Sequence, residues 1–316
     1  MKKKVKSSIV VITGPTSIGK TSAGINLVET FGGEIINADS MQIYKYMDIG
    51  TAKPDSYEQK RAKHHLIDIV EPDENFDAAS YSNYAGNIIK NLNQKKIKAY
   101  VVGGTGLYIK ALIKGLINYN VINEEIKDKL KKQLKEKGNI ELYNKLKEID
   151  FEASKKISPN DSFRIIRALE VYYVSGKKIS DLQKAHNFKS EKYNVLKIAL
   201  NIDRSILYDR INKRVDNMMK QGFIDEVNML LKKGYSMDLK SMKSIGYSHI
   251  CQYLSNKISL EDSINLLKRD TRRYAKRQLT WFKKDSDIIW IKPDDLDKIY
   301  YKIENFYNSR AENIIR

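Results

Sequence analysis

The stretch that decides the fold is VITGPTSIGKTSAG, residues Val11–Gly24. Within it, Gly14, Gly19, Lys20 and Thr21 have the spacing G-x-x-x-x-G-K-[ST] of a phosphate-binding loop. The glycines let backbone N–H groups converge on phosphate oxygens at the positive end of the helix that follows. Lys20 adds a positive charge, and the Thr21 hydroxyl can bind Mg²⁺. The loop therefore predicts phosphate or diphosphate binding, although most loops of this spacing serve phosphoryl transfer or hydrolysis.

Strand patterns alternate with helix patterns around this loop. Five segments match these patterns: strands at 8–13, 34–38 and 99–102, and helices at 20–31 and from about Thr105. The alternation predicts an α/β fold resembling the P-loop NTPases, with a mainly parallel sheet flanked by helices. Ligands of such sheets bind at the carboxyl ends of the strands. We therefore expect the loop, Asp39 and the turn at Gly103–Gly106 to share one edge.

The middle of the chain has a different character, with charged helical patterns and no strand pattern. Strand patterns return at 195–202 and again at 287–291. The sequence therefore predicts a catalytic core made of residues 1–118 and 193–316, interrupted by a helical domain at 119–192.

The charge balance limits the possible partners. The 316 residues include 57 Lys and Arg against 39 Asp and Glu, a formal net charge of +18. Genome bias contributes to such a composition, but the excess favours a polyanionic partner, most simply nucleic acid. A single cysteine excludes an intrachain disulfide. Since no apolar run is long enough to span a bilayer, we expect a cytoplasmic protein without membrane contact, and we expect a monomer.

Asp39 ends the second predicted strand and is followed by Ser40 and Gln42. A carboxylate there can act as a general base toward a nucleophile or simply cap the next turn. Thr105, in the turn GGTG, can donate or accept a hydrogen bond at the same edge.

Two clusters of basic residues can contact phosphates. In LLKRDTRRYAKRQLTWF, two rows of three basic residues run side by side along one helix face: Lys268, Arg272 and Lys276, and Arg269, Arg273 and Arg277. This face suits a nucleic-acid backbone, or it is an ordinary solvated face. Arg210 and Arg214 are one helical turn apart, and on spacing alone they serve a phosphate or a salt bridge equally well.

Together, the segments resemble the bacterial tRNA dimethylallyltransferases, also called tRNA isopentenyltransferases. The matching segments follow the family order over nearly the whole chain: GPTSIGKT, NADSMQIYKYMDIGTAKP, HHLIDIVEP, YVVGGTGLYIKAL, RIIRALEVYYVSGK, RVDNMMKQGFIDEV, SIGY and RRYAKRQLTWF.

The resemblance implies transfer of a dimethylallyl group from dimethylallyl diphosphate to N6 of the adenosine just 3′ of the anticodon. Eight residues would then hold the diphosphate: Gly14, Pro15, Thr16, Ser17, Ile18, Gly19, Lys20 and Thr21. Lys20, Arg214 and Mg²⁺ bound at Thr21 would stabilise the leaving diphosphate. Asp39 would accept the N6 proton, and Thr105 would hold the adenine.

The resemblance also implies two tRNA-contacting segments: Asp39, Ser40, Met41 and Gln42, and Phe163, Arg164, Ile165, Ile166 and Arg167. Family members commonly have Gln where Phe163 stands, so the contact at that position differs, and Phe can stack on a base instead. To these we add the basic helix face at Arg272, Arg273, Lys276 and Arg277, and we expect the helical insertion to bind the anticodon stem.

Three other functions share part of the pattern. A P-loop small-molecule kinase accounts for the loop but not for the charge or the insertion. An isopentenyltransferase acting on free AMP or ATP needs less basic surface. A non-enzymatic RNA-binding protein leaves the cluster at the sheet edge unexplained.

Overall fold

A computed structural model describes residues 6–116, 123–186 and 192–315, excluding the side chains of 310–315. The chain divides into two compact units, one formed by Met1–Ile113 with Lys192–Arg316 and the other by Lys114–Glu191. The smaller unit is therefore inserted, in chain order, between the two halves of the larger one.

The larger unit is built on a parallel sheet of six strands in the order β3-β2-β4-β1-β5-β6. The strands are β1 (Ser8–Thr13), β2 (Glu34–Asn37), β3 (His64–His65), β4 (Ala99–Val102), β5 (Asn194–Leu200) and β6 (Ile288–Ile291). In the register, Ile9 of β1 lies opposite Ala99 on one side and Val195 on the other. The predicted parallel α/β sheet is confirmed, and β3 is a short addition to it.

Nine helices of the described chain belong to this unit. They are α1 (Lys20–Phe31), α2 (Ser56–Arg61), α3 (Ala78–Gln94), α4 (Gly106–Lys114), α9 (Arg204–Lys220), α10 (Phe223–Lys232), α11 (Tyr247–Leu254), α12 (Leu260–Phe282) and α13 (Leu296–Ile315). Residues Ile9–Ile12 of β1 are at most 1% exposed, because helices cover both faces of a parallel sheet. One apolar core joins β1, β4 and β5 to α1, α9 and α13.

The inserted unit is helical throughout its described residues. Its helices are α5 (Glu124–Ile149), α6 (Phe151–Ser154), α7 (Ser162–Ser175) and α8 (Ile179–His186). α5 is broken at Gly138, whose φ of 77° is open to glycine but costly for other residues. The unit has its own apolar core around Leu142, Leu146 and Leu169, so its four helices pack on one another.

Some helix ends follow directly from the local sequence, and others have no side-chain cap. α7 begins after Asp161, whose carboxylate accepts from the Arg164 N–H, and ends at Gly176 with φ 68°. α9 begins directly after Asp203, whose side chain makes no capping hydrogen bond within the described chain. No helix within the described part of the chain is long and apolar enough to cross a membrane.

The strand order sets the position of the functional loops. β1 lies between β4 and β5, and β2 lies beside β4. The phosphate-binding loop follows β1, Asp39 follows β2, and Gly103 follows β4. As expected from the sequence, these three segments therefore meet at one edge of the sheet.

Candidate active site

The phosphate-binding loop presents backbone donors at the start of α1. Gly19 is the residue before the helix, with φ 100° and no side-chain cap, so no side chain of the helix start competes for its N–H groups. Ser17 also has a positive φ, 63°, which is uncommon for a residue other than glycine. Within the described chain, the buried Ser17 hydroxyl has no hydrogen-bond partner. The loop thus holds unpaired donors suited to an anion.

Lys20 is held over the loop that it follows. Its ammonium group donates to the carbonyl oxygen of Pro15 at 2.7 Å. Burial lowers the pKa of Lys20 to about 8; the charge of Asp39 opposes this shift, and that of Arg214 adds to it. A buried cation with one neutral acceptor and a nearby carboxylate is positioned to gain from a bound diphosphate.

Arg214 of α9 reaches the loop from the other half of the unit. Its guanidinium donates to the hydroxyl of Thr16 at 3.0 Å and to the carbonyl oxygen of Thr51 at 3.1 Å. Burial lowers the pKa of Arg214 and the Asp39 charge opposes that shift; an arginine so shifted stays charged at neutral pH. Arg214 forms no ion pair among the described residues, and its hydrogen bonds join the phosphate-binding loop to Thr51. Its contact with a phosphate stays a prediction.

Asp39 lies in a turn fixed from the neighbouring strand. One carboxylate oxygen of Asp39 accepts from the Met41 N–H at 2.9 Å. The Ser40 N–H donates to the Thr105 hydroxyl at 3.0 Å, and the Thr105 N–H donates to the Ala38 carbonyl oxygen at 3.0 Å. Thr105 therefore holds the Asp39 turn in place, in addition to any substrate contact.

The approach of these two turns depends on Gly103. A Cβ atom there would lie 2.3 Å from the backbone of Ala38, far inside van der Waals contact. Only glycine lets the end of β4 approach the end of β2 this closely.

Asp39, the loop and the arginines line one cavity of about 400 Å³, within the size range of ligand sites. Lys20, Arg210, Lys213 and Arg214 supply its basic side, and Ile35, Pro54 and Val102 supply an apolar side. The cavity therefore combines features for an anionic group with features for a small hydrocarbon group.

The donor set for a divalent cation is small. Within the described residues, no group of three or more His, Cys, Asp or Glu is placed to hold a metal ion. Mg²⁺ in proteins is often bound through one or two side chains together with substrate phosphates and water. Thr21 and Asp39, both lining the cavity, fit that arrangement.

Gln42 has a different setting from Ser40 and Met41. It is 9% exposed, and its amide donates to the carbonyl oxygens of Thr51 and Ala52. The side chain thus supports the loop that also accepts from Arg214. To contact tRNA, the Gln42 amide would have to give up these hydrogen bonds or use its side-chain oxygen.

The basic face of α12 is partly neutralised. Lys268 pairs with Asp216, and both Arg269 and Arg273 pair with Asp270. These partners reduce the free positive charge of the face.

The other three basic residues of α12 differ in their setting. Arg272 is half-buried and donates to Asn212 at 2.7 Å. Lys276 and Arg277 are exposed and form no ion pair within the described chain; Arg277 lies over the Tyr274 ring. Of the exposed basic residues of this face, Lys276 and Arg277 carry charges that no described acidic residue neutralises.

In the inserted unit, the five residues from Phe163 to Arg167 separate by helix face. Phe163 is 80% exposed, and the Arg164 side chain is 60% exposed. Ile165 is 1% exposed and Ile166 packs against the unit's core, so their side chains face away from any RNA. Arg167 pairs with Glu170 at 2.7 Å. Phe163 and Arg164 are the most exposed side chains of this segment, and Arg164 also pairs with Asp161 at 3.4 Å.

Sequence reasoning missed Gln278. It lies on α12, is 6% exposed, accepts from the Thr16 N–H and donates to the Gly104 carbonyl oxygen, both at 2.9 Å. A signal was present, because Gln278 falls in the stripe of Leu267, Ala275 and Phe282 that faces the core. A polar residue in an apolar stripe indicates a buried hydrogen-bond partner. The stripe is hard to recognise in the sequence, because charged residues flank it on both sides.

Glu226 of α10 was also missed. Glu226 is 8% exposed, and its carboxylate accepts from the N–H groups of Asp48, Ile49 and Gly50 and from the Tyr247 hydroxyl. It holds the loop whose next residue, Thr51, accepts from Arg214.

Comparison with known proteins finds relatives along most of the chain. Residues 42–285 match the family model described as IPP transferase. The chain is 45% identical over 299 residues to the tRNA dimethylallyltransferase of Desulfosudis oleivorans, covering 94% of this chain and 95% of that protein. It is 46% identical over 295 residues to that of Geobacter sulfurreducens, covering 93% and 95%.

Solved structures agree with the fold. The tRNA isopentenylpyrophosphate transferase of Bacillus halodurans matches with a TM-score of 0.72 and 38% identity over 98% of each chain. A eukaryotic dimethylallyltransferase described as acting on tRNA matches with a TM-score of 0.79 and 28% identity, covering 98% of this chain and 79% of that one. The chain therefore belongs to the IPP transferase family, the family of the tRNA dimethylallyltransferases.

Proposed function

We propose that the protein transfers a dimethylallyl group from dimethylallyl diphosphate to N6 of an adenosine in tRNA and releases diphosphate. The acceptor is the adenosine 3′-adjacent to the anticodon in tRNAs that read codons starting with U. The observation that carries the proposal is that the phosphate-binding loop, Arg214 and the Asp39 carboxylate line one cavity with an apolar side. The activities for which the relatives are named support tRNA as the acceptor.

The site offers a residue for each part of the transfer reaction. The N6 nitrogen forms a bond to the allylic carbon, and the carbon–oxygen bond to the diphosphate breaks with its electron pair leaving on oxygen. The loop N–H groups, Lys20 and Arg214 stabilise the negative charge that develops on the diphosphate. Asp39 accepts the proton that N6 loses. In this arrangement the loop holds a leaving group and no phosphoryl group is transferred.

Thr105 has two parts in the proposal. It holds the turn that bears Asp39, and its position at the end of β4 lets it contact the adenine. The target base must leave the stack of the anticodon loop to reach the cavity. Ile35, Pro54 and Val102 offer apolar contact for the dimethylallyl group.

Mg²⁺ is part of the proposal, and the Thr21 hydroxyl would hold it beside the bound diphosphate. When bound, it neutralises charge on the diphosphate and so eases its departure.

Contacts with tRNA are proposed at three places. The first is the turn of Asp39, Ser40, Met41 and Gln42, together with Thr105. The second is the α12 face of Arg272, Arg273, Lys276 and Arg277. The third is the inserted unit, at Phe163, Arg164, Ile165, Ile166 and Arg167, where exposure favours the first two side chains and leaves the isoleucines to backbone contact. We further propose that the protein acts as a monomer in the cytoplasm.

The test is an assay with unmodified tRNA and free AMP side by side, each with dimethylallyl diphosphate and Mg²⁺. Mass spectrometry of the digested tRNA should find the added dimethylallyl group on the adenosine 3′ of the anticodon. Modification of AMP with none of tRNA would instead assign the enzyme to free nucleotides. Modification of neither acceptor would contradict the proposed function.

A further inference from the structure

Gln278 joins two functional loops that are distant in sequence. Its side-chain oxygen accepts from the Thr16 N–H in the phosphate-binding loop, and its amide nitrogen donates to the Gly104 carbonyl oxygen beside Thr105. Both distances are 2.9 Å, and Gln278 itself is 6% exposed. A single buried side chain therefore sets the separation between the loop and the turn.

The chemistry of this bridge requires an amide. A backbone N–H on one side can only donate, and a backbone carbonyl on the other can only accept. A glutamine side chain offers one acceptor and one donor and so satisfies both in a single orientation. Glutamate of the same shape would place an oxygen against the Gly104 carbonyl oxygen, and methionine would leave both backbone groups without a partner.

The hydrogen bond from Gln278 to residue 104 requires glycine at that position. A Cβ atom at residue 104 would lie 2.4 Å from the amide nitrogen of Gln278. The turn therefore approaches the Gln278 amide more closely than any residue with a side chain would allow.

The bridge formed by Gln278 also fixes a residue of the phosphate-binding loop. With its N–H engaged by Gln278 and its hydroxyl engaged by Arg214, Thr16 is held from two sides. The diphosphate is then left to the N–H groups of the later loop residues, at the start of α1, to Lys20 and to the remaining donors of Arg214. Fixing Thr16 fixes where those donors point.

We propose that Gln278 is a positioning residue that presets the phosphate-binding loop for diphosphate and holds it in register with the turn that carries Thr105. The inference rests on the proposed function and deepens it, since it names a residue that acts through Thr16 and Gly104 without touching substrate. Because Gln278 follows Arg277 on α12, the same helix that offers basic residues to tRNA also holds the donor site.

The test measures binding of inorganic pyrophosphate with Mg²⁺ by calorimetry, a readout that does not need turnover. The variants are Gln278→Met, Gln278→Glu and Gly104→Ala, with Thr280→Ala as the control on an exposed turn of the same helix. Gln278→Met loses both hydrogen bonds, Gln278→Glu loses the one to Gly104, and Gly104→Ala pushes the two partners apart. Loss of one or two hydrogen bonds of ordinary strength predicts pyrophosphate binding weakened about tenfold. Thr280→Ala should bind as the unsubstituted protein does.

Two further measurements separate positioning from folding. Each variant should keep its tRNA affinity within about twofold and remain folded at the assay temperature, while the KM for dimethylallyl diphosphate rises. Gln278→Met and Gly104→Ala break the same bridge, so the double variant should bind pyrophosphate about as weakly as either one alone.

The inference is overturned if the folded variants bind pyrophosphate as tightly as the unsubstituted protein, even where their thermal stability falls. That result would make Gln278 a packing residue only. It would leave the proposed function standing, because transfer by the unsubstituted protein is measured separately.

Discussion

Asp39 is the general base of the proposed reaction. Its carboxylate lines the cavity with Lys20 and Arg214, and one of its oxygens accepts from the Met41 N–H. Replacing Asp39 can therefore lower activity in two ways: it removes the general base, and it can also disrupt the turn. Two substitutions distinguish these effects. Asparagine keeps an oxygen that can accept from Met41, whereas alanine removes it.

We expect Asp39→Asn and Asp39→Ala to lower turnover by about 10²–10⁴-fold, the range for a positioned general base. Binding of tRNA should change little in Asp39→Asn, because the turn is kept. Turnover is measured as dimethylallyl transfer to tRNA, and binding by filter retention. A variant that loses tRNA binding and turnover by the same factor would make Asp39 structural.

The pKa of Lys20, lowered to about 8 by burial, predicts a pH dependence of donor binding. Below pH 8 the ammonium is already charged and attracts the diphosphate directly. Above pH 8 the free protein has lost this proton, so binding must take it up again and weakens as pH rises. The KM for dimethylallyl diphosphate should therefore increase from pH 8 to pH 9.5.

Calorimetry of pyrophosphate binding in buffers of different ionisation enthalpy checks this directly. Proton uptake should approach one per site near pH 9 and be small at pH 7, and Lys20→Met should abolish it. Uptake that is the same at both pH values would show that Lys20 is not the titrating group.

At the scale of the element, α12 combines a buried bridge with an exposed basic face. Lys268, Arg269 and Arg273 have acidic partners, while Lys276 and Arg277 are exposed without one in the described chain. The two free charges should account for most of the contribution of this face to tRNA binding.

Replacing Lys276 and Arg277 together by glutamine should weaken tRNA binding and lower the slope of log K against log salt concentration. The slope should fall by about 0.7–0.9 for each tRNA phosphate that the protein no longer neutralises. Lys292 and Lys298 are exposed lysines elsewhere on the unit, so replacing both by glutamine is a control of equal charge. An equal effect in both pairs would mean that net charge, and not this face, governs binding.

The loop at Asp48–Gly50 depends on α10 through Glu226. Glutamine at this position would turn an N–H₂ group toward backbone donors and leave at least one of them unpaired. Glu226→Gln should therefore lower the free energy of unfolding by about 1–3 kcal/mol, measured by urea denaturation. The exposed neighbour provides the control: Asp225→Asn should cost less than about 1 kcal/mol. A Glu226→Gln protein as stable as this control would show that the loop is held by other contacts.

The elements of the sheet edge were predictable, because each rests on a local pattern. The loop spacing predicted the anion site, and the strand patterns predicted that Asp39 and Gly103 would meet it. The contacts that fix the site were not predictable from pattern. Gln278 lies 262 residues from Thr16, and Asp216 neutralises Lys268 from another helix. Periodicity shows which face a residue is on, but not which partner the fold brings to it.

At the scale of the whole molecule, a six-stranded core carries the cavity and a separate helical unit carries Phe163 and Arg164. The formal charge of +18 is spread over both units. From a loss of strand pattern the sequence predicts a helical insertion at 119–192, and the smaller unit of the structure is Lys114–Glu191. The short strand β3 is not predicted, because two residues are too few to show a period.

The central claim is that the phosphate-binding loop holds a leaving diphosphate while carbon is transferred. The most direct measurement is the product balance of the reaction with unmodified tRNA, dimethylallyl diphosphate and Mg²⁺. We predict one diphosphate released for each dimethylallyl group gained by tRNA, with no orthophosphate and no phosphorylated product. Orthophosphate release, or phosphoryl transfer in place of dimethylallyl transfer, would contradict the account.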